Sequence, residues 1–293
     1  MVKPIFGGQA VMEGVFFKSA SAISLAVRKP NKSIYTWSTP YTSWAKRAGV
    51  QKIPLIRGIV VFVEMMILGT KMLNRSAEIA LDEKDDSSSF GMILAIVAGI
   101  LGIVIAIGLF KFLPLLSTTF LWRNVQNPSA IGFTLVEGLI KLTLFLIYLI
   151  AIGQMNDIKR LFQYHGAEHK VIRCFEADKK LTIENVAKSS RYHPRCGTSF
   201  LVFVIGISIL LYTLIPLSLP LLAKLGIRLL FLPLIAGIAF EIITLTAKVS
   251  ETGPMRWLLW PGYFVQSLTT REPDRSQIQV ALASFNACVK KSK

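Results

Sequence analysis

The feature that most constrains this chain is a set of four apolar stretches, each close to the ~20 residues that a helix needs to cross a bilayer. They occupy residues 90–109, 131–153, 199–219 and 226–247. Only 17% of the 293 residues are charged, whereas soluble domains have about 25%. The pattern predicts an all-α polytopic membrane bundle with about four transmembrane helices.

Basic residues alternate along the chain in step with these stretches. Twelve Lys and Arg precede residue 91, nine lie in the loop 154–197, and seven follow residue 247. The connections 110–130 and 220–225 contain only Lys111, Arg123 and Lys224. Because cytoplasmic loops carry the basic excess in membrane proteins, we expect both termini and the loop 154–197 on the cytoplasmic side of a bacterial-type inner membrane.

The net charge of +16 does not require nucleic acid as a partner, because anionic lipid headgroups attract basic segments beside a membrane. The chain also lacks a glycine-rich phosphate loop of the P-loop type, so work driven by ATP is not expected. Membrane lipid is therefore the expected partner, and the sequence does not specify an oligomeric state.

The spans divide the chain into three predicted regions: an N-terminal cytoplasmic region, 1–89, a membrane domain, 90–247, and a cytoplasmic tail, 248–293. In the first region, two β-rich runs at 22–27 and 33–37 predict a hairpin. The glycine-rich opening Gly7-Gly-Gln-Ala-Val-Met-Glu-Gly14 predicts tight turns or a close backbone approach to another group.

Two further segments are expected to lie at the membrane surface. In residues 53–74 a polar stripe of Arg57, Glu64 and Lys71 interrupts the apolar sequence, which favours an interfacial helix, or one packed on the bundle, over a fifth span. The aromatic, proline-interrupted segment 253–264 is typical of an interfacial or re-entrant element. One apolar face then predicts an amphipathic tail helix: Ile278, Leu282, Phe285 and Val289.

Metal-ligating residue types converge in the loop 154–197. His165, Glu168 and His169 share one helix face at spacings of three and four, in the H-x-x-E-H order in which two histidines bind zinc and the glutamate acts as base. His193 and Cys196 add one nitrogen and one sulfur. Imidazole and thiolate ligands predict a divalent metal, zinc before iron or another transition metal.

Two forms of this site stay open. If all four of His165, His169, His193 and Cys196 bind, the site is closed and structural. If three bind, one position is left for a water that Glu168 would deprotonate, and Glu168 could instead be a ligand itself. Gly166, inside the motif, argues against a continuous helix.

Carboxylates inside predicted spans are functional candidates by default. Glu137 has Lys141 four residues on, which favours a self-neutralising pair. Glu241 has no such partner in its own segment, so it is a candidate for the surroundings of the metal. Glu13, in the glycine-rich opening, is a similar candidate.

Four blocks resemble the YqhQ family (domain of unknown function 1385), in the same order along the chain: Gly7–Gly14, Tyr164-His-Gly-Ala-Glu-His-Lys170, His193-Pro-Arg-Cys-Gly-Thr-Ser-Phe200 and Thr269-Thr-Arg-Glu-Pro273. The resemblance covers essentially the whole chain. It implies a multi-pass bacterial membrane protein, with relatives in plastids, that is a metal-dependent enzyme.

Two functions follow as expectations. The first is metal-assisted hydrolysis at the cytoplasmic membrane surface, with Glu168 as general base and a lipid headgroup or membrane-proximal peptide as substrate. The alternative is a non-enzymatic membrane scaffold, assembly factor or transport-associated protein in which a structural metal fixes the loop 154–197 to the bundle.

Overall fold

The computed structural model describes residues 6–82, 89–246 and 253–292. The chain is mostly helical, with one four-stranded sheet at its N-terminus. The strands are β1 Gly7–Val11, β2 Gly14–Lys18, β3 Ala22–Arg28 and β4 Ile34–Pro40. The helices are α1 Trp44–Arg47, α2 Ile56–Leu81, α3 Ser89–Ile107, α4 Leu113–Trp122, α5 Ala130–Ile152, α6 Asn156–Glu176, α7 Ile183–Ala187, α8 Gly197–Tyr212, α9 Leu221–Leu230, α10 Leu232–Thr246, α11 Trp260–Thr269 and α12 Arg275–Ser292.

The sheet is antiparallel, with its strands in sequence order. The predicted hairpin corresponds to β3 and β4 and is confirmed. The glycine-rich opening forms a second hairpin, β1–β2, which the sequence did not predict. Glu13 occupies its turn with φ 51°, and a Cβ on Gly14 would lie 2.3 Å from the Ala26 carbonyl oxygen. Gly14 therefore serves close packing within the sheet.

Each face of the sheet is covered by helices. Side chains alternate across a strand, so Val15 and Phe17 face one side and Phe16 faces the other. The first side packs on α6 and α12, and the second packs on α2, where Met72 is buried. The predicted tail helix is α12, whose Ile278, Leu282 and Phe285 are buried in the first of these cores.

The polar stripe of α2 is used for packing. Glu64 is fully buried and accepts hydrogen bonds from Lys18, Tyr41 and Ser43. Arg57 pairs with Glu241 of α10, while Lys71 is exposed. Two of the three stripe residues thus fix α2 to its neighbours, whereas the third faces outward.

Within the described residues, two helices are long and apolar enough to cross a membrane: Gly99–Trp122 and Ala130–Ile152. The pair α9–α10, bent by 43°, would make a third if it forms one span. α8 is apolar but has only 16 residues. These helices are consistent with membrane association, and α5 matches the predicted second span to within one residue at each end.

Two predicted connections are wrong. The first apolar helix continues through a π-helical turn, Gly108–Phe112, to Trp122, so Lys111 lies inside it. α9 begins at Leu221 and contains Lys224, which is buried. In both places a lysine lies inside a helix rather than in a connection, because apolar residues flank it on both sides.

Candidate metal centre

The motif residues His165, Glu168 and His169 lie on α6, which runs unbroken through Gly166. The argument that this glycine interrupts the helix is therefore wrong. A Cβ at this position would lie 2.1 Å from the carbonyl oxygen of Arg271. Gly166 thus lets the segment after α11 pass directly against the helix that carries both histidines.

Three of the four predicted ligands meet in space. His165, His169 and Cys196 each offer one ligand atom, and these atoms all lie within 4.8 Å of one another. The Cys196 Sγ is 3.3 Å from His165 Nε2, and Cys196 caps the N-terminus of α8. We call this set the histidine–cysteine cluster.

Backbone carbonyls orient both imidazoles. His165 Nδ1 lies 2.8 Å from the Thr269 oxygen, and His169 Nδ1 lies 2.5 Å from the Arg191 oxygen. A ring nitrogen that faces a carbonyl donates to it, so Nδ1 of each ring carries a proton and Nε2 is the nitrogen turned toward the cluster. Metal-ligating histidines commonly have this arrangement, so both rings are held in the tautomer and direction that a metal requires.

The electrostatics of the cluster favour a thiolate beside positive charge. Burial raises the pKa of the Cys196 thiol, but His169 and His165 outweigh it and hold this pKa well below its usual value. Burial lowers the pKa of His169, but the Cys196 thiolate and Glu168 raise it to about 9. The two histidines therefore supply the positive charge that stabilises the Cys196 thiolate.

Glu168 is buried at the edge of the cluster. One carboxylate oxygen lies 3.5 Å from His169 Nε2, but Glu168 is not one of the three residues whose ligand atoms converge. Strand β1 packs directly on it, since a Cβ on Gly8 would lie 2.7 Å from Glu168 Cγ and Oε1. The close approach predicted for the glycine-rich opening is thus an approach to this carboxylate.

His193 lies beside the cluster rather than in it. Its ring centre is 5.8 Å from that of His169, its Nε2 is 3.1 Å from a Glu176 oxygen, and its Nδ1 accepts from the Arg195 N–H. Burial, followed by the charge of His169, lowers the pKa of His193 to about 4. The His193 ring is neutral and both of its nitrogens have hydrogen-bond partners, so this residue supports the structure of the loop.

Neither of the other candidate carboxylates reaches the cluster. Glu13 accepts from Nε and Nη2 of Arg160 at 2.5 Å and from the Tyr164 hydroxyl, so it fixes the β1–β2 turn to α6. Glu241 pairs with Arg57 and accepts from the Leu55 N–H. Each of these carboxylates joins two elements of the fold, away from the histidine–cysteine cluster.

Sequence reasoning missed the supports of the site. Gln266 is fully buried, accepts from the His193 N–H at 2.8 Å and donates to the His193 carbonyl and the Ser199 hydroxyl. The Thr269 and Arg191 carbonyls hold the rings. Thr269 opens one of the quoted family blocks, but a buried glutamine one turn earlier has no distinguishing pattern.

A cavity of about 320 Å³ lies behind these supports. It is lined by the end of α5 and the two residues after it, by Arg191, and by the end of α11 together with Thr270 and Arg271. Apolar Leu149 and Ile150 form one wall, and Arg191 and Arg271 contribute positive charge. The cavity does not include the three ligands, but it adjoins the carbonyls that orient them.

The donor set fits a zinc-like ion. Two imidazole nitrogens and one thiolate suit zinc, and three protein ligands leave one coordination position open in a tetrahedral site. The fit does not depend on His193.

Comparisons with known proteins agree on one family. The family model described as "Protein of unknown function (DUF1385)" matches residues 53–291. The chain is 38% identical over 296 residues to "Uncharacterized protein YqhQ" of Bacillus subtilis (strain 168), an alignment that covers 97% of this chain and 92% of that protein. No solved structure matches.

Proposed function

The chain belongs to the DUF1385 family, and from that starting point we propose that it is a membrane-embedded, metal-dependent hydrolase. His165, His169 and Cys196 hold a zinc-like ion, and Glu168 is the general base. The observation that carries the proposal is the convergence of three ligand atoms within 4.8 Å, with both imidazoles oriented by carbonyls.

The ion, when bound, supplies Lewis acidity at the open coordination position. The chain supplies the rest. Cys196 and the two histidines orient and hold the ion, and Glu168, buried at the edge of the ligand set, takes up the proton from the attacking water. Burial of His169, Glu168 and Cys196 excludes bulk water, which strengthens each of these interactions.

We place the cluster at the cytoplasmic surface of a cell membrane. In this proposal α3–α4, α5, α8 and the bent pair α9–α10 are four spans, both termini are cytoplasmic, and α2 and residues 253–264 lie at the interface. The alternation of basic residues supports this topology. A reporter fused after Glu176 should be cytoplasmic, and an external reporter there would refute the orientation.

The substrate class follows from the cavity beside the site. Its apolar wall comes from the end of α5, a candidate span, and its charge comes from Arg191 and Arg271. A molecule with an apolar part and an anionic part fits such a surface. A lipid headgroup is therefore the proposed substrate, with a membrane-proximal peptide as the second choice.

A scaffold with a structural metal is the second candidate function. It is favoured by the connections of the cluster, which joins α6 to the start of α8 and, through Thr269, to α11. In that case the metal stabilises the loop, and Glu168 is dispensable.

Metal content tests the site itself. Elemental analysis of the purified chain should find about one zinc-like ion, lost in a His165→Ala/His169→Ala double variant, because binding needs these ligands. Cys174→Ser is the matched control: Cys174 is also buried and its sulfur faces the Lys180 carbonyl. Unchanged metal in the double variant would end the proposal.

Glu168→Gln separates the two functions. If Glu168 is the base, this variant keeps the metal and the fold but fails to complement a deletion strain, because the amide cannot take up a proton. Glu184→Gln, an exposed residue on α7, is the control and should complement. Full complementation by Glu168→Gln with metal retained would favour the scaffold.

Cobalt substitution gives a readout that needs no substrate. Cobalt(II) at the cluster should show a thiolate charge-transfer band that Cys196→Ser removes. With an open position, added cyanide should change the spectrum, whereas a coordinatively closed structural site should not respond.

A further inference from the structure

A second buried polar cluster lies among the membrane helices, at the end of α8 opposite Cys196. Four basic side chains from three elements lie in and around the Glu137–Arg228 ion pair. We call them the basic cluster: Lys111 of the π-helical turn, Lys141 of α5, and Lys224 and Arg228 of α9. Because α8 has 16 residues, this cluster lies ~24 Å along the helix from the candidate metal centre.

The carboxylate has two of these cations as partners. Glu137 lies 2.5 Å from Arg228 Nη2 and 3.6 Å from Lys141 Nζ. Glu137 and Arg228 are each only 2% exposed. The sequence favoured a self-neutralising pair of Glu137 with Lys141, but the closer partner is an arginine from another helix.

The guanidinium of Arg228 is incompletely satisfied. Its Nε and Nη1 are buried and have no hydrogen-bond partner among the residues that the structure describes. The group lies 4.8 Å from the ring centre of Tyr212, and the Lys141 ammonium lies 5.0 Å from the same ring. Lys111 donates to the Tyr212 hydroxyl at 3.1 Å. Tyr212 thus contacts three basic side chains but supplies no negative charge to neutralise them.

Charge is unbalanced in this part of the molecule. Four basic side chains share one carboxylate, and Lys111 and Lys224 have no ion-pair partner among the described residues. Buried cations without counter-charge are costly. Ionisable groups between membrane helices mark ligand or ion sites by default, so the excess indicates that the cluster takes an anion.

We propose that the basic cluster binds a phosphoryl anion, carried by a lipid headgroup or by free phosphate. A guanidinium with unused N–H groups matches phosphate oxygens geometrically, and nearby ammonium groups add point charges. Lys224, near the start of α9, and Glu137, two turns into α5, place the cluster toward one end of the helices.

Binding is measured on the full chain in maltoside micelles, which contain no phosphate. The midpoint of thermal unfolding is followed while sodium phosphate or dioleoyl-phosphatidylglycerol is added, with sodium chloride at equal ionic strength as the reference. A ligand of the folded state raises the midpoint in a saturable way. Stabilisation by phosphatidylglycerol alone identifies a lipid headgroup, and stabilisation by both probes includes the free anion.

Variants of the basic cluster test whether the anion binds there. Glu137→Gln/Arg228→Gln removes the guanidinium without stranding the carboxylate and should weaken binding about tenfold or more. Arg123→Gln, an exposed arginine just after α4, should bind as the native chain does. If the double variant does not fold, Lys224→Met decides, since it removes one cation and leaves the Glu137 pair intact.

Two results would overturn the proposal. One is a native chain that neither probe stabilises more than sodium chloride does. The other is native affinity in every folded variant of the cluster.

Discussion

The two ends of α8 have opposite kinds of buried polar site. At the Cys196 end, two imidazoles and a thiol converge, and backbone carbonyls orient both imidazole rings. At the Tyr212 end, basic side chains from three elements meet around one carboxylate and an aromatic ring. The first end concentrates electron-pair donors and so suits a cation. The second concentrates N–H donors and so suits an anion.

The two ends also differ in what maintains their geometry. The rings of His165 and His169 are fixed by main-chain atoms, so substitutions that do not move the main chain leave the rings in place. The basic cluster depends on the side chains themselves, because Glu137 holds Arg228 and Lys141. Substitutions should therefore destabilise the second end strongly, while at the first end they should mainly change metal affinity.

The largest effect is expected from Glu137→Ala. Removing one partner of a buried ion pair strands the other charge, which costs about 3–5 kcal/mol of unfolding free energy. Glu241→Ala is the matched control: its pair with Arg57 is 20–32% exposed, so its loss should cost about 1 kcal/mol. Denaturant unfolding in micelles measures both. Equal costs would show that Glu137 and Arg228 are not a buried pair.

Gly166→Ala tests the packing behind the histidines. The new methyl would contact the Arg271 carbonyl and displace the segment that holds His165, with an expected loss of about 1–3 kcal/mol. Gly197→Ala, beside Cys196, has open space around it and should be neutral. Unfolding midpoints compare the two variants. A neutral Gly166→Ala would contradict the close approach of the two segments.

Gln266→Ala should act on metal affinity. Gln266 fixes the His193 main chain three residues before Cys196, and removing such outer supports typically lowers metal affinity about 10–100-fold. Competition with a chromogenic chelator gives the affinity, and Gln154→Ala, an exposed glutamine, is the control. An unchanged affinity would show that Cys196 is positioned by other groups.

Glu13→Gln should have the smallest effect. Its bidentate pair with Arg160 is 26–48% exposed, so its loss should cost less than about 1 kcal/mol. Metal content should not change, because Glu13 contacts α6 through Arg160 and Tyr164 rather than through the ligands. Loss of metal in this variant would instead link Glu13 to the metal site.

The sequence predicted the Cys196 end better than the Tyr212 end for a physical reason. His165 and His169 share a helix face by spacing alone, and Cys196 belongs to a short loop that returns to the same side. The exclusion of His193 could not be predicted, because it depends on Glu176 and on the Arg195 N–H. Such partners become visible only when the loop is folded.

The sequence did not predict the basic cluster because none of its members belongs to a recognisable motif. Lys111 and Lys224 stand where an apolar run is interrupted, which is also how a loop looks, and only packing shows that they point inward. The β1–β2 hairpin was missed for a related reason. Strands are predicted from alternating side chains, which glycines do not have. In this hairpin Gly8 allows Glu168 to approach closely, and Gly14 allows Ala26 to do so.

The π-helical turn Gly108–Phe112 has a consequence for how this segment tolerates insertions and deletions. A π turn accommodates one residue more than an α turn. Deleting one residue from the π turn would therefore restore an α turn and keep the flanking helices nearly in register, whereas deleting one from the regular turns of α4 would rotate its two sides by about 100° relative to each other. Lys111 would then leave Tyr212 although every side chain of the cluster is still encoded. The position of Lys111 in the cluster therefore depends on the number of residues in the helix as well as on the identity of the residue.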